Sequence, residues 1–268
     1  MDDYYETNKR RWDELVAIHA QSEEYDLKGF LEGKSSLHQV ELDALGDVSG
    51  KTLLHLQCHF GLDTISWTRL GATATGVDFS DTAIELAQEL AKLVGADTQF
   101  ICSNLYDLPK IHQKQYDIVF TSFGVLCWLA DITGWAEVVA HFLKPRGTFL
   151  IVEGHPFFWV FDNDHPTDLK IKYSYWHSDE PLSYDEPGTY IDTDMKLINT
   201  KSYEWAHTVS DILNAIIQAG LVISEVYEFP HLPWKPIPFA KKHQDGEWRL
   251  DGDLLPLSWS IKAVKPGK

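Results

Sequence analysis

Residues 53–64 read LLHLQCHFGLDT, an apolar run that breaks into a polar turn and resumes with helical character over residues 61–70. A buried strand running through a turn into a helix is where nucleotide-like cofactors sit, because the turn leaves backbone N–H groups free at the helix start. Where a cofactor loop carries three glycines at alternate positions, this one has Gln57, His59 and Gly61. Three readings are open at this point: an altered cofactor loop, a metal site and simple packing.

TLLHL (52–56) is followed by TATGVDF (73–79), both strand-like, and Ser80 is predicted to cap a helix over 81–94 that stops at Gly95. TQFICS (98–103) and YDIVFTS (116–122) are β-branched and aromatic. Residues 131–143 carry a helical apolar face through Ile132, Trp135, Val138, Val139 and Phe142, and KPRG (144–147) turns into TFLIVEG. Apolar strands alternating with helices predict an α/β fold with a parallel sheet covered on both faces. Upstream, Trp12, Leu15, Val16 and His19 share a helical face, and SSLHQVELDAL (35–45) is read as opening with a capping box from Ser36 to Gln39.

From 154 to 206 the rhythm breaks into aromatic and polar sequence, with DEPGTY (185–190) as a turn and MKLINTKSYEW (195–205) alternating like an antiparallel strand. So long an excursion predicts a lid or pocket wall. A helix over 207–220 and strands over 221–229 and 257–264 follow. The loop 230–256 separates those strands, and its DGEWRLDGD (245–253) reads as a surface turn. The expected organisation is a single domain over 1–268: a helical cap (1–46), a core (47–153 and 207–265) and an inserted lid (154–206).

The formal charge of −17, from 40 acidic against 23 basic residues, repels phosphate backbones and anionic lipid surfaces. Nucleic acid and membrane are therefore not expected partners; small molecules are. The three cysteines, Cys58, Cys102 and Cys127, are odd in number and widely spaced, which suits free thiols. The start lacks the apolar core of a signal peptide and no run approaches the ~18 apolar residues that span a bilayer, so a cytoplasmic protein is expected. Nothing in the sequence signals an oligomeric state.

Further landmarks give the turn its meaning. Asp78 ends the second strand in GVDFS, where a carboxylate can accept from both hydroxyls of a ribose. Its plain alternative, a helix cap, is already filled by Ser80. Asn104 in SNLYDLP (103–109) is placed to read an adenine edge, or to form an Asx turn. Thr121, Ser122, Phe123 and Gly124 leave the fourth strand at the same sheet edge.

The succession LLHLQCHFG, GVDFS, SNLYDLP, YDIVFTSFGVLCWL and LKPRGTFLIVEG resembles the motifs of class I S-adenosylmethionine-dependent methyltransferases over residues 47–153. The longer strings EGHP and DEPGTY resemble a bacterial branch of that superfamily. The resemblance implies a Rossmann-like doubly wound sheet of about seven strands, mostly parallel with an antiparallel last strand. It also implies S-adenosylmethionine as cofactor, with Gln57, Cys58 and His59 under its methionine part, Asp78 at the ribose, Asn104 and Leu105 at the adenine, and Ser122, Phe123 and Gly124 bordering the methyl. Gly61, Thr64, Phe79 and Ser80 complete the expected cofactor set. The chain departs from the family where the usual acid is His55 and two of three glycines are Gln57 and His59. His55 accepts from the cofactor's amino group only as a neutral ring with a free nitrogen. A metal at His55, Cys58 and His59 is disfavoured, because no compact Cys or His cluster supplies the remaining ligands.

Methyl transfer requires an acceptor held in line with carbon and sulfur. Phe60, Phe79, Phe123 and Trp128 are candidate aromatic walls for the cationic donor. Glu153 and His155, at the end of the fifth strand, are the leading candidates for a general base. Trp159, Tyr175, Trp176 and Tyr190 from the insertion, Tyr5 and Trp12 from the leading helix, and Trp128 are expected around a small-molecule acceptor. Two alternatives share several of these features. One is a noncatalytic binder of S-adenosylmethionine or its product; the other is a nicotinamide-dependent oxidoreductase, whose glycine pattern QCHFGL lacks.

Overall fold

The computed structural model describes residues 2–191 and 193–267. Its centre is a seven-stranded sheet built from β1 (Thr52–Leu56), β2 (Thr73–Asp78), β3 (Gln99–Cys102), β4 (Tyr116–Thr121), β5 (Leu143–Gly154), β8 (Val222–Phe229) and β12 (Ser258–Val264), in the order β3-β2-β1-β4-β5-β12-β8. The first five strands pair in parallel, while β12 runs antiparallel to both β5 and β8. The parallel strands must cross over between neighbours, and α4 (Leu62–Arg69), α5 (Asp81–Leu93) and α7 (Ile132–Phe142) make these crossings. Strand order reverses between β1 and β4, so the crevice for a ligand opens beside the β1 turn.

Burial explains these elements. β1 is buried at four of its five positions, and one sheet face packs Leu54, Leu56, Val119, Phe149 and Ile261 against Trp135 and Val139 of α7. The other face packs Leu53, Ile118, Phe120 and Leu150 with Trp67. Ser80 caps α5 by accepting from the Ala83 N–H at 3.0 Å, and α8 (Val209–Gln218) starts at a Thr208–Asp211 capping box.

Three local expectations are corrected. The helix α3 (Gln39–Leu45) begins two residues later than the Ser36 box requires: His38 is the N-cap residue and the Glu41 carboxylate accepts its N–H at 2.7 Å. Ser36 is instead drawn to α4, where its hydroxyl lies 3.1 Å from Ser66 Oγ. KPRG does turn, with Arg146 at φ 65°, but as a bulge inside β5. Finally, the 230–256 loop is more than a surface turn. It folds into a small sheet of β9 (His231–Leu232), β10 (Lys241–Lys242) and β11 (Trp248–Arg249), with Trp248 packed on a cluster that includes Phe158, Leu232 and Ile237.

Above the carboxyl edge of the sheet lie α1 (Asp2–His19) and a hairpin of β6 (Leu182–Asp185) and β7 (Lys201–Glu204). Arg11 joins them by donating to the carbonyls of Glu186, Gly188, Asn199 and Thr200 at 2.7–3.3 Å. Asn8 extends the hairpin edge, donating to Tyr203 O at 2.8 Å and accepting from Tyr203 N–H at 2.9 Å. Among the described residues no helix is long and apolar enough to cross a membrane.

Candidate active site

A cavity of about 1220 Å³ lies between the carboxyl edge of the sheet, α1, the β6–β7 hairpin and the 230–256 segment. The β1 turn forms part of its floor. Gln57, His59 and Gly61 take the left-handed conformation, at φ 58°, 50° and 77°. For a non-glycine residue that conformation costs roughly 1–2 kcal/mol, and both non-glycine side chains are tied down. Gln57 Nε2 donates to Val125 O at 3.0 Å, bridging β1 to the segment after β4. His59 Nε2 lies 3.1 Å from His19 Nδ1, whose other ring nitrogen is 3.0 Å from Thr189 Oγ1, so the turn is joined to both α1 and the insertion. Burial keeps both histidines neutral at ordinary pH, pulling His19 down to about 3 and His59 well below its usual range. A Cβ at Gly61 would meet Phe100 at 2.5 Å, so only glycine fits there. Cys58 is buried beneath the turn, away from the cavity.

Asp78 stands at the end of β2 with its Oδ2 accepting from the His59 N–H at 2.8 Å and its Oδ1 from the Ser80 N–H at 3.0 Å. It lines the cavity with Phe79 and Leu105. Burial raises its pKa to about 6 despite those N–H bonds. Each carboxylate oxygen has a second lone pair left for a ligand. Ser80 lies behind, donating to Asp13 Oδ1 at 2.6 Å. Asn104 takes its plainer role: its Oδ1 accepts from the Tyr106 N–H at 2.9 Å in an Asx turn, and Ser103 and Leu105 face the cavity in its place.

His55 does not reach the cavity. Its Nδ1 lies 2.9 Å from Thr64 Oγ1 and its Nε2 3.3 Å from Ser122 Oγ, and burial lowers its pKa to about 4. His55 and Thr64 thus brace the turn from behind. Ser122 lines the cavity and sits 3.3 Å from Asp63 Oδ2, a second wall residue. Phe123 and Gly124 border the same edge.

Neither base candidate is poised for proton transfer. Glu153 accepts from the N–H groups of Gly124, Val125, Leu126 and Gly154, so both its oxygens hold the segment after β4 in place. Burial raises its pKa while those four N–H groups oppose the rise. His155 points away, because β5 pairs there with β12 and directs its ring onto Trp259. Its Nε2 is 3.0 Å from Glu228 and its Nδ1 accepts from the Phe157 N–H.

Of the aromatic wall residues expected from sequence, Tyr5, Trp12 and Trp128 line the cavity, as do Trp159, Tyr175 and Tyr190. Trp12 meets Trp128 edge-on at 5.3 Å and His59 at 5.2 Å. Trp176 is 70% exposed and does not line it. Sequence reading missed the wall residues Tyr25, His38, Glu204, Trp234 and Glu247, and also His19, which is buried against the wall residue His59. His19 alone had a signal, its place on the apolar face of α1; Glu247 sat inside a string with every mark of a surface turn.

Residues 54–151 match the family described as a methyltransferase domain. A ubiquinone biosynthesis O-methyltransferase of Shewanella pealeana is 27% identical over 127 residues, covering 46% of this chain and 53% of the relative. An uncharacterized methyltransferase of Synechocystis is 30% identical over 131 residues, 48% of this chain and 59% of the relative. The chain thus spans about half the length of the curated relatives it matches. Among solved structures, a putative S-adenosylmethionine-dependent methyltransferase from Listeria monocytogenes superposes with a TM-score of 0.61 at 21% identity, covering 84% of this chain and 96% of that one. With the β1 turn at the switch point of a β3-β2-β1-β4-β5-β12-β8 sheet and the matched motifs on that edge, residues 54–151 match the methyltransferase domain, on a fold similar to that of solved S-adenosylmethionine-dependent methyltransferases.

Proposed function

We propose that the protein transfers a methyl group from S-adenosylmethionine to a small-molecule acceptor held in the cavity between the sheet edge and the cap. The observation that carries this reading is the Asp78 carboxylate: buried, locked by the His59 and Ser80 N–H groups, and open to the cavity at the carboxyl end of β2. Two further features fit the cofactor. Gln57 Oε1 is buried and has no hydrogen-bond partner among the described residues, an acceptor that a ligand N–H would satisfy. Gly61 lets the backbone come close where no side chain fits.

When bound, the cofactor supplies a methyl group on a positively charged sulfur. Asp78 takes the ribose hydroxyls, Leu105 and Phe79 flank the base, and the segment from Ser122 to Gly124, held by Glu153, orients the reactive end. Trp12 and Trp128 line the cavity, where aromatic rings attract positive charge. α1 and the insertion wall the cavity opposite the sheet edge, so proximity and orientation provide most of the acceleration. A small-molecule acceptor fits a cavity of this size, and the similar protein of Shewanella is a ubiquinone biosynthesis O-methyltransferase.

Titration calorimetry tests this reading. S-adenosylhomocysteine is expected to bind, NAD is not, and Asp78→Asn should weaken binding at least tenfold. Because the Asp78 carboxyl takes a proton near pH 6, affinity should also fall as pH drops through that value. Equal binding by wild type and Asp78→Asn would overturn the assignment.

A further inference from the structure

The β6–β7 hairpin leaves one carboxylate without a task. Its register sets Leu182 opposite Glu204 and Tyr184 opposite Ser202. Side chains alternate between the faces of a strand, so these four share one face, and all four line the cavity. The hairpin is anchored at that point: Trp205 N–H donates to Cys127 O at 2.8 Å, and Asn8 clasps Tyr203. The Glu204 carboxylate accepts no hydrogen bond among the described residues. Arg11, whose positive charge acts on it, directs its donors to four backbone carbonyls. The rings of Tyr173 and Tyr184, with centroids 6.1 Å apart, also line the cavity.

Resting on the methyltransferase reading, we propose that the acceptor carries a protonated amine and that Glu204 is the carboxylate that holds it, beside the tyrosine rings. An ammonium offers three donors to an acceptor-only group, and tyrosine faces attract the same charge. A half-buried carboxylate without a donor is unfavourable. Burial and the neighbouring Glu186 raise the Glu204 pKa to about 7, against the pull of Arg11; a bound cation removes that penalty. The whole cavity favours the same choice, since ten of its wall residues are Asp or Glu and three are Lys or Arg. A phosphate or carboxylate on the acceptor would meet repulsion throughout.

The test is calorimetric, on the full chain loaded with S-adenosylhomocysteine, using amines matched with their alcohols: phenethylamine with phenethyl alcohol, tyramine with tyrosol, and 1,5-diaminopentane with 1,5-pentanediol. At least one amine should bind tenfold or more tighter than its alcohol, and Glu204→Gln should remove that preference while leaving S-adenosylhomocysteine affinity within twofold of wild type. The proposal is overturned if no amine is preferred, or if Glu204→Gln keeps the preference. It is also overturned if Glu204→Gln weakens S-adenosylhomocysteine tenfold, which would make Glu204 a cofactor ligand. Failure of S-adenosylhomocysteine to bind wild type would instead sink the methyltransferase reading; the amine titrations, repeated without it, still decide the role of Glu204.

Discussion

At the scale of single residues, the β1 turn shows how a glycine loop survives the loss of two glycines. Gln57 and His59 keep the left-handed backbone and offset its strain with side-chain bonds to Val125 O and His19. Gly61 has no such option, because its strain would come with a collision against Phe100. Gly61→Ala is therefore expected to destabilise the protein by about 2 kcal/mol or more, read as a lower urea midpoint, with cofactor binding lost in calorimetry. A midpoint unchanged from wild type would contradict the close approach. The need for a glycine here was legible from the strand–turn–helix pattern. The partners of Gln57 and His59 were not, because they lie on other elements 68 and 40 residues away.

At the scale of elements, the 230–256 segment is clamped to α3 through charge. Glu247 lies 3.4 Å from His38 Nδ1 and 3.4 Å from His231 Nδ1. Burial pulls the His38 pKa down, but the bond to Glu247 and the charges of Glu41 and Asp63 outweigh it and raise it to about 9. Burial likewise pushes the Glu247 carboxyl up, and the two histidines reverse this and bring it to about 2. The raised histidine contributes stability that is full below pH 6.5 and lost as pH rises through about 9. The lowered carboxyl contributes stability that is full above pH 4.5 and lost as pH falls through about 2. Both act together between those limits. Glu247→Gln should lower the Tm by a few degrees at pH 6, at about 2–4 °C per kcal/mol, and the gap to wild type should narrow by pH 10. A gap that stays constant with pH would show the clamp to be uncharged. The string DGEWRLDGD could not disclose this, since its turn residues are the same whether the loop faces solvent or folds back on a cavity.

At the scale of the molecule, the sheet carries the cofactor floor while α1 and the insertion form the roof, and Arg11 is the main fastener between the two roof pieces. Removing it leaves the sheet core intact but frees four carbonyls and the hairpin edge. Arg11→Ala should keep S-adenosylhomocysteine binding within a few-fold of wild type while exposing the 154–206 segment to limited proteolysis. Cleavage at the wild-type rate would mean that packing alone holds the roof. The same fastening positions Glu204, so acceptor affinity should fall with it.

Local periodicity and short spacings along the chain were enough to read the parallel sheet, the turn after its first strand and the place of Asp78, while the antiparallel last strand came from the resemblance to methyltransferases. Which polar groups remain open to a ligand emerged only once the elements were packed together. Glu153 and His155 looked alike as bases at one strand end, yet four backbone N–H groups engage the first and β12 turns the second toward Glu228. Glu204 looked like one more polar position in an alternating strand, yet its hairpin register aims it into the cavity. Availability for chemistry is set by what folds against a side chain, and those partners come from segments that no local pattern connects.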